Sequence, residues 1–394
     1  MVEFLGRGLV SRDVRLRSPL GRVLLAALLC GGVAIGVNPV SASAATPLPS
    51  IVDQEPSVFY SGLVFSTLTT GWLILNGEVW RTSDAGAKWV KVYRGPDQPT
   101  TLDASGSQTA WMIANRELPS TKTELVGLVR TTDAGQHWVT LGEPPRATLF
   151  SIDFTSATIG YALTTRGELL QTLDAGQSWS HVKTPAPVGS VCATSSDTLW
   201  IGGANGHVYQ RSRGRSSWRE SLRYAAVAPP PNEGGTYLVH PLLSCAGTSA
   251  IALYDWGEAA GSAQYEVMQT LDGRHWSLRF ALNVPGVPTR YHAVDSTIDE
   301  FGSEQPSASW ILGYCGACGW GRVNMATTHD GVAWKVTRLP VSASFVQATF
   351  MTANVGWVVA TPASYPPYRN LVVLETSNGG ATWHRVGAIA VHMG

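Results

Sequence analysis

Charge is scarce in this sequence. Asp, Glu, Lys and Arg make up 14% of its 394 residues, against roughly 25% in an average soluble chain, which excludes a charged helical bundle and a solvated disordered tail. The charge is also balanced, with 28 Lys+Arg against 28 Asp+Glu. A chain without a basic excess lacks the electrostatic footprint of a nucleic-acid binder, so no nucleic-acid partner is expected. Helical periodicity is missing after the N-terminal segment, and cysteine numbers only 5. Abundant instead are glycine, at 41 residues, and tryptophan, at 15. The length exceeds that of an ordinary sandwich or bundle and suits two or three small domains or one domain built from repeats.

One long uncharged apolar run, Val23 to Val37, follows five arginines, Arg7, Arg12, Arg15, Arg17 and Arg22. It is shorter than the roughly 20 residues that span a bilayer and has the form of a signal-peptide core. Ala42-Ser43-Ala44 supplies a cleavage pattern, so residues 1–44 are expected to be a signal peptide, residues 45–57 a linker and residues 58–394 the folded domain. The alternative is an uncleaved segment that keeps the protein near a membrane. Either way the expected location is secreted or extracytoplasmic. Removing residues 1–44 leaves a slightly acidic chain at −3 with four cysteines, Cys192, Cys245, Cys315 and Cys318.

Internal repetition dominates the rest. Arg81-Thr82-Ser83-Asp84-Ala85-Gly86-Ala87-Lys88-Trp89 returns as Arg130-Thr131-Thr132-Asp133-Ala134-Gly135-Gln136-His137-Trp138 and again around Asp174 and Trp179. Shorter copies surround Asp272 and Asp330, the last copy has Asn378, and a copy ending in Trp218 has Arg213 where the acid stood. The copies end in tryptophans 89, 138, 179, 218, 276, 334 and 383, spaced by 49, 41, 39, 58, 58 and 49 residues. Before each copy an aromatic or apolar residue opens a β-rich run: Trp72, Trp111, Tyr161, Trp200, the Ile251 to Leu253 stretch, Trp310 and Trp357. Each unit reads as four short strands parted by Gly, Asn or Asp. These patterns predict an all-β, seven-bladed β-propeller of four-stranded antiparallel blades, with strands A to D from the innermost outwards.

The Ser/Thr-x-Asp-x-Gly-x-x-Trp pattern resembles the Asp-box, or BNR, repeat of bacterial sialidases, sortilin-type receptors and xyloglucan-cleaving glycosidases. A Phe-containing first strand, a Gly-Trp second strand and one box per unit together most resemble the photosystem II assembly and stability factor family and its bacterial relatives. The resemblance covers residues 58–388, implies a propeller with its boxes on the C–D hairpins, and suggests assistance in assembling a membrane complex. Asp84, Asp133, Asp174, Asp272, Asp330 and Asn378 are therefore expected to be structural, their side chains accepting turn N–H groups while Gly takes the positive φ.

Strand direction alternates in a blade, so A–B and C–D turns share one face of the disc while B–C and D–A connections share the other. All the insertions fall on the second face. The interval from a box Trp to the next B-strand marker is 21 to 23 residues in most units but 35 between Trp218 and Leu253 and 34 between Trp276 and Trp310. The enlarged connections carry Tyr237, His240, Arg290, Tyr291, His292, Trp320, Arg322, Tyr365, Tyr368 and Arg369. Aromatics beside arginines suit a protein or glycan surface, and these are the expected partner-binding residues. The expected protein is a monomeric, non-catalytic scaffold without cofactor or metal. The alternative is a secreted glycoside hydrolase, for which Arg290, Arg322, Arg369, Tyr291 and Asp295 are the nearest sialidase-like set, with Asp295, Asp299 and Glu300 as candidate carboxylates. That set lacks the N-terminal Arg-Ile-Pro signature, and sialidases have six blades.

Cys192 and Cys245 each precede their B-strand marker by eight residues, which predicts a disulfide between adjacent inner strands if the Cα atoms lie within about 7 Å. Cys315-Gly316-Ala317-Cys318 is open to a small-loop disulfide, a redox pair or half of a zinc site. No second pair completes a zinc set, and export favours the disulfide. Architecture absorbs most of the tryptophans, which leaves Trp320 as the one most suited to touch a partner.

Overall fold

The computed structural model describes residues 62–117, 123–141, 148–194, 198–212, 215–224, 240–259, 262–282, 297–305, 307–314, 321–362 and 370–390. Among them no helix occurs. The first sheet holds β1 (Leu63–Phe65), β2 (Gly71–Leu75), β3 (Glu78–Thr82) and β4 (Val90–Tyr93). The second holds β5 (Gln98–Ser105), β6 (Thr109–Glu117), β7 (Thr123–Thr131) and β8 (Val139–Thr140). The third holds β9 (Leu149–Phe154), β10 (Gly160–Thr164), β11 (Leu169–Thr172) and β12 (Ser180–Val182). The fourth holds β13 (Val188–Ala193), β14 (Thr198–Gly203), β15 (Val208–Ser212) and β16 (Arg219–Leu222). The fifth holds β17 (Leu242–Ala246), β18 (Ser249–Ala259), β19 (Ser262–Thr270) and β20 (Trp276–Leu282). Each is an antiparallel meander in sequence order.

The sixth sheet departs from the four-strand expectation. It runs β21 (Thr297–Gln305), β22 (Ala308–Tyr314), β23 (Gly321–Thr328), β24 (Lys335–Phe350), β25 (Gly356–Pro362), β26 (Asn370–Thr376), β27 (His384–Ala390), seven strands in all. The cause is β24, which pairs with β23 up to Gly321↔Ala343 and with β25 from Ala343↔Pro362 to Phe350↔Gly356. This stretch carries no turn-forming Gly, Asn or Asp, so one extended strand is outermost in one group of four and innermost in the next.

First strands touch one another in the cyclic order β1, β5, β9, β13, β17, β21, β24 and back to β1. Second strands lie between the neighbouring sheets. The apolar run Gly71-Trp72-Leu73-Ile74-Leu75 is buried at every position, as is Gly160–Thr164. Fourth strands form the rim, where Val90 and Val139 are exposed. This gradient explains why the second strands read as continuous apolar runs rather than alternating ones.

A three-residue device welds the sheets together. Phe65, Phe154 and Phe350 stand opposite Gly71, Gly160 and Gly356 on the adjacent strand. Their rings lie so close that a Cβ on Gly160 would come within 2.5 Å of Phe154. Glycine lets the ring lie flat over the second strand. The outer ring face then receives a tryptophan from the preceding group: Trp111 stacks on Phe154 with centroids 3.8 Å apart, and Trp357 stacks on Phe65 at 3.7 Å. The tryptophan at the end of the same sheet's Thr-x-Asp segment meets the Phe edge-on, as Trp179 and Trp89 do at 6.3 and 6.1 Å. Such aromatic pairs add about 0.5–1.5 kcal/mol each beyond the area they bury.

The Thr-x-Asp segments join third to fourth strands in tight turns. Thr131 Oγ1 donates to Asp133 Oδ1 at 2.9 Å and accepts from Gly135 N, while His137 N donates to the same carboxylate oxygen at 2.9 Å. The turns around Asp84 and Asp174 repeat this pattern. Asp272 and Asp330 make a one-residue-shorter version, accepting two consecutive backbone N–H groups each. At Asn378, Oδ1 accepts from Thr382 N and Nδ2 donates to Thr382 Oγ1. These amides hold the carboxylates low: His137 N, then the His137 ring, brings Asp133 down to about 2.

Candidate functional site

The two faces of the disc differ in how their connections are held. On one face four of the turns joining third to fourth strands, those at Asp84, Asp133, Asp174 and Asn378, are fastened to the turn between first and second strands: Ala85 N donates to Thr69 O, Ala134 N to Gln108 O, Ala175 N to Thr158 O and Gly379 N to Asn354 O, at 2.8 to 3.0 Å. These turns are short and saturated with their own hydrogen bonds. The opposite strand ends receive the long connections.

Of the residues expected to bind a partner, Tyr237, Arg290, Tyr291, His292, Trp320, Tyr365, Tyr368 and Arg369 lie outside the described residues, as do Asp295, Cys315 and Cys318. Arg322 stands on β23 with its backbone opposite Ser342, and Asp299 and Glu300 stand on β21. His240 is described and packs inwards. It lies against Gly189 of β13, where a Cβ would come within 2.2 Å of its Cδ2. Its Nε2 is buried without a hydrogen-bond partner among the described residues, and burial lowers its pKa, so the ring is a neutral packing group.

The longest connection has a rigid root. Tyr224, the last described residue before residues 225–239, donates its hydroxyl to Glu266 Oε2 at 2.6 Å. Its ring stacks on Tyr254 with centroids 4.0 Å apart, and Tyr254 donates to Gly206 O at 2.9 Å. Glu266 is only 8% exposed, and burial raises its pKa, a shift that the Tyr224 hydroxyl opposes by stabilising the charged form. This cluster locks the fourth sheet to the fifth where that connection departs.

The innermost strands carry lateral ties, and two of their members are invisible to the motif reading. Asp103 on β5 accepts from Phe154 N of β9 at 2.5 Å. Asp153 on β9 accepts from Ala193 N of β13 at 2.8 Å. Cys192 on β13 is joined to Cys245 on β17, with Cα atoms 5.9 Å apart. Asp103, Asp153 and Cys192 occupy one register position, opposite Trp111, Tyr161 and Trp200. The eight-residue interval applied to the cysteines would have found both aspartates had it been applied to every unit. In the fifth sheet that interval misleads, because β17 and β18 are joined by a two-residue turn and Cys245 stands opposite Ala250 rather than Leu253.

Sheets of consecutive antiparallel strands, arranged with their first strands around an axis, define a β-propeller. Among solved structures, YCF48 bound to D1 peptide is similar over 82% of this chain and 94% of its own length, at 15% identity and a TM-score of 0.51. YCF48 from Cyanidioschyzon merolae is similar over 84% of this chain and 97% of its own, at 16% identity and a TM-score of 0.49. The GH74 xyloglucanase from Xanthomonas campestris is similar over 80% of this chain and 58% of its own, at 13% identity and a TM-score of 0.45. At such identities the likeness speaks for the fold alone. No protein-family model matches the sequence, and no curated protein matches it.

Proposed function

We propose that this chain is an exported, non-catalytic, seven-bladed Asp-box propeller that docks a protein segment on the face opposite its Thr-x-Asp turns, in the service of assembling a membrane complex. The observation that carries this reading is the asymmetry of the faces. One is closed by short turns, four pairs of which are bonded to each other, whereas the other receives the long insertions, several of which carry aromatic and arginine residues, such as Arg290 with Tyr291 and Tyr368 with Arg369. Loops on a rigid scaffold are the usual seat of recognition. The cyclic order of first strands supports seven blades, with β24 serving two of them. The similar YCF48 structure is one bound to a peptide, which favours a protein partner over a glycan.

The second reading is a glycoside hydrolase built on Asp295 with Arg290, Tyr291, Arg322 and Arg369. The carboxylate pair in the described inner strands does not support it, because Asp103 and Asp153 are committed to backbone amides of neighbouring strands. The test immobilises the protein against a library of extended peptides and compares Arg322→Ala and Tyr365→Ala with Leu173→Ser on the turn face. A loss of binding of about tenfold or more in the first two alone is expected. Weakening by Leu173→Ser alone refutes the docking face, and release of aglycone from aryl glycosides, abolished by Asp295→Ala, establishes the hydrolase instead.

A further inference from the structure

The turn joining β15 to β16 carries neither Asp nor Asn, and arginine crowds around it. Between Arg211 and Arg223 the sequence holds five arginines and a single acid, Glu220, in a chain whose charges balance. Glu220 is already engaged, with Arg223 Nε 2.7 Å from one carboxylate oxygen and His207 Nδ1 3.1 Å from the other. Two further guanidinium groups are held by neutral partners, which fix them without cancelling their charge. Arg211 lies over the Trp218 ring at 4.7 Å, and Trp218 donates its Nε1 to Lys183 O of the third sheet at 2.8 Å. Arg219 donates to Gln210 and to Gly273 O in the turn of the fifth sheet. Arg215 is exposed at the turn itself, as is Arg274 in the turn of the fifth sheet. The carboxylates of the flanking turns are committed to their own loops, where Asp174 takes Ser178 N and Oγ and Asp272 takes His275 N and its ring.

An apolar side chain stands beside this charge. Leu173 follows the Thr of the third sheet's turn, the position from which Leu271 and His329 reach across to the next turn. A Cβ on Gly331 would come within 2.4 Å of Leu271 Cδ2, and one on Gly379 within 2.2 Å of His329 Cε1. Leu173 therefore stands towards the arginine-rich turn, yet it is 65% exposed. A leucine tip, guanidinium groups on apolar stems and a half-buried tryptophan are side chains that settle at the boundary between lipid headgroups and acyl chains. We propose that this corner of the disc, formed by Leu173, Arg211, Arg215, Arg219 and Arg274, binds the surface of a bilayer containing anionic phospholipid, the arginines meeting phosphate and Leu173 entering the interface. The charge calls for an anion, and the leucine selects lipid. Beneath a phosphate layer it finds acyl chains, whereas an acidic protein surface would set it against carboxylates. The corner lies on the turn face, so membrane binding leaves the opposite face free to dock a peptide.

The test is amide hydrogen exchange of the full protein mixed with vesicles of phosphatidylcholine, alone or with about one third phosphatidylglycerol, which reads each surface separately. Peptides covering residues 171–178 and 215–222 are expected to exchange more slowly on the anionic vesicles only. Those covering residues 164–169, a turn on the opposite face, should not change. Arg215→Gln and Leu173→Ser are each expected to raise the lipid concentration for half the effect by about fivefold. Arg94→Gln, which alters an exposed cation of the first sheet, should leave it unchanged. Salt at about 0.5 M is expected to weaken the effect. Unchanged exchange at the corner on anionic vesicles overturns the proposal, whatever residues 1–44 do at the membrane. Slowing on phosphatidylcholine alone, insensitive to Arg215→Gln, overturns it too. Slowing by a polyglutamate peptide but not by vesicles assigns the corner to an acidic protein instead. None of these outcomes bears on peptide docking, whose assay contains no lipid.

Discussion

At Ala85, Ala134 and Ala175 the backbone is left-handed, with φ of 58°, 63° and 62°, and the glycine that follows each is left-handed too. An L-residue with a Cβ pays about 1–2 kcal/mol there, and the last copy of the turn avoids this with Gly379 and Gly380. Replacing Ala134 by glycine relieves the strain but adds unfolded-state entropy, so Ala134→Gly should lie within about 1 kcal/mol of neutral, on the stabilising side. Gly135→Ala should instead cost about 2–4 kcal/mol, because its φ is 87° and the new Cβ would meet Val92 Cβ at 2.7 Å. Urea unfolding of the two variants checks both. The glycine and the aspartate of this turn were legible in the sequence because each serves partners within a few residues. The alanine's conformation was not, since nothing local distinguishes it from an ordinary extended alanine.

Among the elements, the Thr-x-Asp turns carry a dependence on pH. Asp133 and Asp272 are held below the ordinary range, first by the backbone amides of His137 and His275 and then by those imidazole rings. A carboxyl depressed by folding contributes stability above its unfolded pKa and loses it as pH falls towards the folded one. Wild type should therefore melt above Asp133→Asn near neutrality, with the two curves converging between about pH 4 and about pH 2. A melt series across that range measures it. The Cys192–Cys245 bond closes a separation of 53 residues. The double variant Cys192→Ser/Cys245→Ser should lose about 2–4 kcal/mol in denaturant unfolding, and reductant should no longer affect it. The cysteines drew attention because they are rare, whereas Asp103 and Asp153 were hidden among other acids although they share the register of Cys192.

The whole molecule closes through contacts between residues at opposite ends of the described chain. Trp357 on β25 stacks on Phe65 of β1 and donates its Nε1 to Ala85 O at 2.9 Å, a sequence separation of 272. Gly387 on β27 lies so close to the first turn that an added Cβ would approach Gly86 O to 2.2 Å. Every first-sheet and last-sheet strand comes from its own end of the chain, so aromatic packing and turn carbonyls hold this seam rather than a shared strand. Trp357→Ala should cost about 3–5 kcal/mol and expose the β1 seam. Limited proteolysis with chymotrypsin, with cleavage appearing near residues 62–65 before global unfolding, checks it.

The repeat, the four strands of a unit, the turn chemistry and the side of the disc that carries the insertions follow from the sequence alone, because each depends on residue types at fixed short intervals. Only the tertiary structure decided which tryptophan stacks on which phenylalanine, that β24 runs unbroken between two groups of strands, and that aspartates take over the lateral role of the cystine. Each of those outcomes depends on a partner contributed by another repeat, brought close by the curvature of the ring, and no local pattern records that partner's identity.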